Sequence, residues 1–380
     1  MRILVAAGGT GGHIYPAFAV LRPLAQRRSD LEVRWLGGRR GLESGMVPAA
    51  GYRFDRLWLR TLRTVDLSLA TVMDPVRLGA SVPQAMAYLA RWRPDVVYTT
   101  GGYIAIPVLI AAAALRVPSL LWEGNLLAGR SVRATARLAS AITVSFPETA
   151  TTLSAHASVT GTPIRELVPG DRTGARQRLH LPDDLPVLLV FGGSQAVARF
   201  NRAVADALPS LVASATVIHV TGDAGLAAAL EARDQLPGGL RSRYLPFAFL
   251  REEMADALIA SDLLVGRAGS STLAEACAIG LPVIVVPYPH AAGHQEANAR
   301  AMVAAGAARL VPDERFGADT LVEAAALLGD PVMLARMGAA SRGLGRPGAA
   351  RVTGDLLLAL AERRALPAAD AIERSSREDG

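Results

Sequence analysis

The chain has 380 residues, 51% hydrophobic and 19% charged, with a net charge of +6; this length points to two domains, and the apolar content excludes a disordered chain. All 40 basic residues are arginine, which excludes a P-loop lysine, a Schiff-base lysine and a kinase-type lysine. No long like-charge block or aromatic-interleaved basic stripe marks a nucleic-acid partner, and the single Cys277 allows no internal disulfide and suits a reducing compartment.

Short apolar runs alternate with amphipathic segments, the pattern of βα units and parallel sheets. In the first half, strands are expected near 2–7, 32–36, 95–100, 118–122 and 141–145, with helices near 15–28, 83–92, 103–115 and 128–137. The opening Arg2-Ile3-Leu4-Val5 runs straight into a glycine turn rather than a leader, so a cytoplasmic protein is expected. The longest apolar stretch, Ile104 to Leu115, is too short to span a bilayer. In the second half, strands are expected near 186–191, 216–221, 262–266 and 282–286, and helices near 197–212, 224–234, 251–260, 271–279, 293–305 and 318–328. The reading is α/β, with two Rossmann-like doubly wound parallel-sheet domains over 1–162 and 163–345 facing across a cleft. A last helix within 346–364 is expected to return to the first domain, and 365–380 to be a disordered tail.

Three glycine-rich turns follow buried strands: Gly8-Gly9-Thr10-Gly11-Gly12-His13, Phe191-Gly192-Gly193-Ser194 and Arg267-Ala268-Gly269-Ser270-Ser271-Thr272. Such turns let a ligand approach the backbone and present free N–H groups at a helix N-terminus, which suits phosphate. The first lacks the dinucleotide pattern, since Ile14 stands where its last glycine belongs. Without lysine, phosphate must be met by backbone N–H groups, hydroxyls and arginine.

These turns, with Gly101-Gly102-Tyr103, Glu123-Gly124-Asn125, Val159-Thr160-Gly161-Thr162-Pro163-Ile164-Arg165, Gly192-Gly193-Ser194-Gln195, the run continuing to Leu273-Ala274-Glu275 and His294-Gln295-Glu296-Ala297-Asn298, stand in an order that resembles the MurG family of glycosyltransferases over residues 1–345. The resemblance implies a GT-B fold and inverting transfer of N-acetylglucosamine from UDP-N-acetylglucosamine to the 4-hydroxyl of a polyprenyl-diphosphate-linked muramoyl-pentapeptide, in peptidoglycan synthesis. It also implies a donor held mainly by the second domain and an acceptor held mainly by the first.

Under that resemblance His13 is the first candidate for the base that takes the proton from the acceptor hydroxyl, and Glu123, at a strand end, is the second. The donor is expected to meet Arg165, Ser194, Gln195, Ser270, Ser271, Thr272, Glu275 and Gln295. The hydroxyls and free N–H groups at 270–272 would receive the diphosphate charge, Glu275 the ribose hydroxyls and Gln295 the sugar. The acceptor is expected at Thr10, Gly11, Gly12, Gly101, Gly102, Tyr103 and Asn125. His290 and His294 lack a carboxylate at metal-ligand spacing and no D-x-D occurs, so no metal and no cofactor are expected.

Between Arg56 and Arg93, apolar residues including Leu57, Trp58, Leu62, Val65, Leu69 and Val76 interleave with Arg56, Arg60, Arg63 and Arg77. That composition suits anionic inner-leaflet lipids, and a peripheral location on the cytoplasmic face of the cell membrane is expected. Ala105 and Ile106 replace the usual Ser-Gly after the tyrosine turn, Gly124 replaces a glutamine and Ala196 a glycine. Most of these lie on the acceptor side, so a GT-B enzyme with another acceptor and a non-catalytic UDP-sugar-binding paralogue stay open on the sequence.

Overall fold

Ile3, Leu4, Val5 and Ala6 have no exposed surface, as a parallel strand covered on both faces requires. They lie in β1 (Arg2–Ala6), inside an all-parallel sheet with β2 (Glu32–Gly37), β3 (Arg53–Arg56), β4 (Val96–Thr99), β5 (Ser119–Glu123), β6 (Ala141–Val144) and β7 (Ala157–Val159), in the order β3-β2-β1-β4-β5-β6-β7. A second parallel sheet holds β8 (Val187–Phe191), β9 (Thr216–Val220), β10 (Tyr244–Phe247), β11 (Leu263–Gly266), β12 (Val283–Val285) and β13 (Ala308–Leu310), in the order β10-β9-β8-β11-β12-β13. The computed structural model describes all residues except 40, 60–72, 154–156, 169, 183–184, 194–196, 292 and 379–380.

The chain divides into Met1–Arg165 with Arg346–Gly380, and Glu166–Gly345. The division falls just after Arg165, so this expected donor contact belongs to the first unit rather than the second. The helix Ala349–Ala361 is part of the first unit, where Val352, Leu356 and Leu357 share a core with Val20 and Leu24 of the helix Gly11–Arg27. In each sheet the chain reverses direction of growth beside the first strand: β1 lies between β2 and β4, and β8 between β9 and β11. The loops leaving such a pair diverge and open a crevice at the carboxyl edge.

The strands β3, β7, β10 and β13 lie outside the expected set. All four are outer strands of three or four residues, and an edge position has no need of the continuous apolar run that marks a central strand. Arg53-Phe54-Asp55-Arg56 accordingly has a single apolar residue. The helix expected near 83–92 spans Asp74–Trp92, with Pro75 in its first turn, where proline has no N–H to lose, and Pro83 inside it.

The tail expected to be disordered carries a helix, Ala369–Arg377. Nine residues, most of them polar, would not hold a helix alone, but Ile372 is buried in the first unit's core. Arg346 reaches Glu373 at 2.7 Å and the Ser376 hydroxyl at 3.2 Å. The sequence shows the polarity of the segment; only the fold supplies the buried arginine that holds it.

Candidate active site

The first glycine turn joins β1 to the helix Gly11–Arg27. Beneath it lies Glu43, only 1% exposed, accepting from the Gly9 N–H at 2.8 Å and the Gly38 N–H at 3.2 Å. A Cβ on Gly8 would come within 2.6 Å of its carboxyl carbon, so the glycine at position 8 makes room for the carboxylate. The Gly9 N–H, ahead of the helix, is thereby already paired. Gly11 and Gly12 begin the helix and have no intrahelical acceptor there.

His13 follows in the first turn of that helix. Its Nδ1 lies 2.7 Å from the Thr100 carbonyl, while the Thr100 hydroxyl donates to the His13 carbonyl at 2.9 Å. A carbonyl only accepts, so Nδ1 carries a proton and, in the neutral ring, Nε2 keeps the lone pair. Nε2 looks onto Gly101-Gly102: a Cβ built on Gly102 would lie 3.8 Å from it. Both glycines have positive φ, 85° and 76°, a conformation that side chains rarely adopt. The Gly101 N–H is internally paired to the Thr99 hydroxyl at 3.2 Å, which removes one of the expected acceptor-facing donors. Tyr103 is half-buried beside this turn, and Thr10 is exposed.

Glu123, expected as the alternative base, is 4% exposed and has both oxygens occupied. Oε1 accepts from the Asn125 N–H at 2.9 Å and its side-chain amide at 3.1 Å, and Oε2 from the Gly129 N–H at 2.8 Å. A carboxylate so engaged shapes the loop from Gly124 to Gly129, and Oε2, with one N–H, keeps a second lone pair. Asn125 is thereby also held in place.

In the second unit the helix Ser270–Ile279 starts after β11 with Gly269 as its cap residue. Glycine brings no capping oxygen, and no side chain caps the helix, so Ser270, Ser271 and Thr272 occupy the first turn with its orphan N–H groups. The Ser271 hydroxyl oxygen is buried and has no hydrogen-bond partner. A buried hydroxyl without a partner calls for an explanation, and a group that arrives from outside would supply one. Glu275 lies a turn further on, 7% exposed.

Gln295, expected to read the sugar, uses its Oε1 on the N–H groups of Ala268 at 3.2 Å and Tyr288 at 2.9 Å. Together with Asn298, whose amide donates to the Ala268 carbonyl at 3.2 Å, it braces the turn before Ser270. Ser194 and Gln195 lie outside the described residues. Tyr288 and His290 form an edge-on ring pair, and among the described residues no three of His, Cys, Asp and Glu gather as a metal site.

Glu43 and Asp313 were not singled out in the sequence, and Arg267 and Asn298 stood in the quoted motifs without a role of their own. Arg267 is 6% exposed and ion-paired to Asp313 at 2.5 Å, with its guanidinium 5.0 Å from the Phe200 ring centre and 5.3 Å from that of Tyr288. Its position in the third glycine turn was the available signal; that it is a buried prop rather than a phosphate ligand depends on an aspartate 46 residues away.

The model of the glycosyltransferase family 28 N-terminal domain matches residues 3–144, and that of the family 28 C-terminal domain residues 187–350. A protein of Desulforudis audaxviator named UDP-N-acetylglucosamine--N-acetylmuramyl-(pentapeptide) pyrophosphoryl-undecaprenol N-acetylglucosamine transferase is 39% identical over 91% of this chain and 95% of its own. The like-named protein of Halorhodospira halophila is 42% identical over 91% and 95%. The chain belongs to the MurG family of glycosyltransferases. The solved MurG of Acinetobacter baumannii, 26% identical, superposes with a TM-score of 0.72 over 94% of this chain and 99% of that one. MurG membership makes the two parallel-sheet units the domains of a GT-B glycosyltransferase, as the glycine turns and their order imply. Among the described residues, no helix is long and apolar enough to cross a membrane.

Proposed function

We propose that this chain transfers N-acetylglucosamine from UDP-N-acetylglucosamine to the 4-hydroxyl of a muramoyl-pentapeptide carried on a polyprenyl diphosphate. The observation that carries the reading is the His13–Thr100 pair, which fixes an imidazole with Nε2 facing an open glycine turn in a chain of the MurG family. The acceptor oxygen attacks the anomeric carbon, and the new C–O bond forms as the bond from that carbon to the UDP oxygen breaks, with inversion to a β-1,4 link. Nε2 of His13 receives the hydroxyl proton, a contribution of about 10² to 10⁴ in rate. The electron pair leaves with UDP, whose growing diphosphate charge falls to the N–H groups and hydroxyls of Ser270, Ser271 and Thr272. Glu275 binds the ribose hydroxyls. Glu123 holds the Asn125 loop rather than the proton.

The acceptor's lipid makes a peripheral position on the cytoplasmic face of the membrane part of the same reading. Met73 and Val76, 40% and 55% exposed, support it at the edge of the basic and apolar stretch; residues 60–72 of that stretch lie outside the described residues. The test is transfer of labelled N-acetylglucosamine from its UDP sugar to a short-chain lipid-linked muramoyl-pentapeptide, with and without chelator. Chelator-resistant product is expected. UDP-N-acetylglucosamine binding without product would overturn the acceptor assignment.

A further inference from the structure

Beyond the ends of β2 and β3 the chain continues as two adjoining segments. The Leu57 N–H donates to the Gly37 carbonyl at 3.0 Å and the Arg39 N–H to the Leu59 carbonyl at 2.9 Å. Leu57 and Leu59 are buried in the core, so the alternation of an extended segment turns the half-buried Trp58 between them the other way. The Trp58 N–H is bound by the Gln84 side-chain oxygen at 2.9 Å. Arg39, Arg56, Trp58 and Gln84 line a cavity of about 700 Å³, far more than a single small anion fills.

The neighbouring arginines are neutralised: Arg34 by Glu32 at 3.1 Å and Arg53 by Asp55 at 3.7 Å. Among the described residues no carboxylate pairs with Arg39 or Arg56, and Arg56 lies 5.6 Å from the Phe54 ring centre. With the Gln84 oxygen spent on the backbone, the cavity offers two guanidinium forks that no carboxylate among the described residues meets, an amide NH2 and the surface of an indole. This is the chemistry of an oxyanion on an organic chain.

Its place in the sheet selects the anion. β3 is two strands from β1, about 10 Å at ordinary strand spacing, and the cavity lies at the same carboxyl edge as the His13 turn. In the proposed acceptor the diphosphate is joined to the reacting sugar itself and stays near that turn. The peptide leaves the sugar by its amino end and carries a carboxylate at the other. Five extended residues reach about 17 Å, enough to span the two strands.

We propose that Arg39 and Arg56, with Trp58 and Gln84, form a subsite for the terminal carboxylate of the acceptor's peptide. This rests on the proposed transfer reaction and names a specificity element within it. The guanidinium groups touch neither the anomeric carbon nor the attacking hydroxyl, so they act on acceptor binding and not on the chemical step.

The test is steady-state transfer with two lipid-linked acceptors, one with a free peptide C-terminus and one with a C-terminal amide, by wild type and by Arg39→Gln, Arg56→Gln and the double variant. The substituted positions are exposed, so folding is expected to survive, and an unchanged donor KM reports it. Wild type is expected to show an acceptor KM about tenfold higher for the amide. The double variant should show the raised KM with both acceptors, no longer telling them apart, and an unchanged kcat. Equal KM values for the two acceptors in wild type overturn the subsite and leave the transfer reaction standing. A KM rise in the variants that is equally large for the amide assigns the arginines to a phosphate, of the diphosphate or of a lipid, and also overturns it. No transfer to either acceptor by wild type overturns the proposed reaction and this inference with it.

Discussion

Glu43→Gln tests whether the first glycine turn is held from beneath by a carboxylate. In the native chain the two oxygens each accept one backbone N–H, from Gly9 at 2.8 Å and Gly38 at 3.2 Å. Glutamine keeps one acceptor oxygen and puts an NH2 against the other N–H, so one charge-assisted bond is lost and a buried donor is left facing a donor. With about 1.5 to 3 kcal/mol for a hydrogen bond to a charged group, the loss is about 2 kcal/mol, and Glu43→Ala, which removes both, costs about 4 kcal/mol. Because Gly9 leads directly into the helix that carries His13, the slackened turn should also raise the acceptor KM about tenfold, while the donor KM stays as in wild type. The assay is urea unfolding of the first unit followed by circular dichroism, paired with separate donor and acceptor titrations of the transfer rate. A Glu43→Gln protein within about 0.5 kcal/mol of wild type, the size of an ordinary surface change, with an unchanged acceptor KM would refute the brace.

Ser271→Ala should behave oppositely in its two readouts: removal of a buried hydroxyl without a partner leaves stability equal or up to about 1 kcal/mol higher, while the donor KM rises about tenfold. A change in stability with no change in donor KM would place Ser271 outside the donor site. Burial pushes the His219 imidazole down to about 4, where Nδ1 meets the Tyr244 hydroxyl at 2.8 Å and Nε2 the Asn201 amide oxygen at 3.1 Å. The unfolded imidazole titrates near 6.5, so between pH 6.5 and 4 the unfolded state holds a proton that the folded state does not. The His219 contribution to stability should be flat above pH 6.5 and fall by about 3 kcal/mol on acidification to pH 4. Denaturant titrations of His219→Gln across that window should lack this part of the slope, and an unaltered slope would contradict the assignment.

Central strands and glycine turns were legible because burial on both faces and close backbone approach each demand a narrow set of residues, as at Ile3–Ala6 and Gly8–Gly12. The place of His13 at the end of such a turn was legible for the same reason; its role as base belongs to the proposed reaction. Glu43 was not: nothing in Gly41-Leu42-Glu43 distinguishes it from a helix-starting acid, and its role arises when the sheet brings it beneath Gly8 and Gly9, 34 residues from the latter. Glu123 was visible but ambiguous, since a base and a loop brace leave the same letter at a strand end; its bond to the Gly129 N–H appears only in the fold. Gln295 was read outward for the same reason, whereas the fold turns its oxygen toward Ala268 and Tyr288. The expected disorder after 365 failed because a helix that is polar in sequence can be held by one apolar residue, Ile372, and one buried partner, Arg346.

The most direct measurement is the single-turnover rate of N-acetylglucosamine transfer by His13→Ala, with UDP-N-acetylglucosamine and the lipid-linked muramoyl-pentapeptide both saturating and donor affinity measured alongside. The account predicts a rate lower by about 10² to 10⁴ with donor affinity unchanged. A near-native rate would contradict it, because the hydroxyl proton would then have another acceptor than Nε2 of His13.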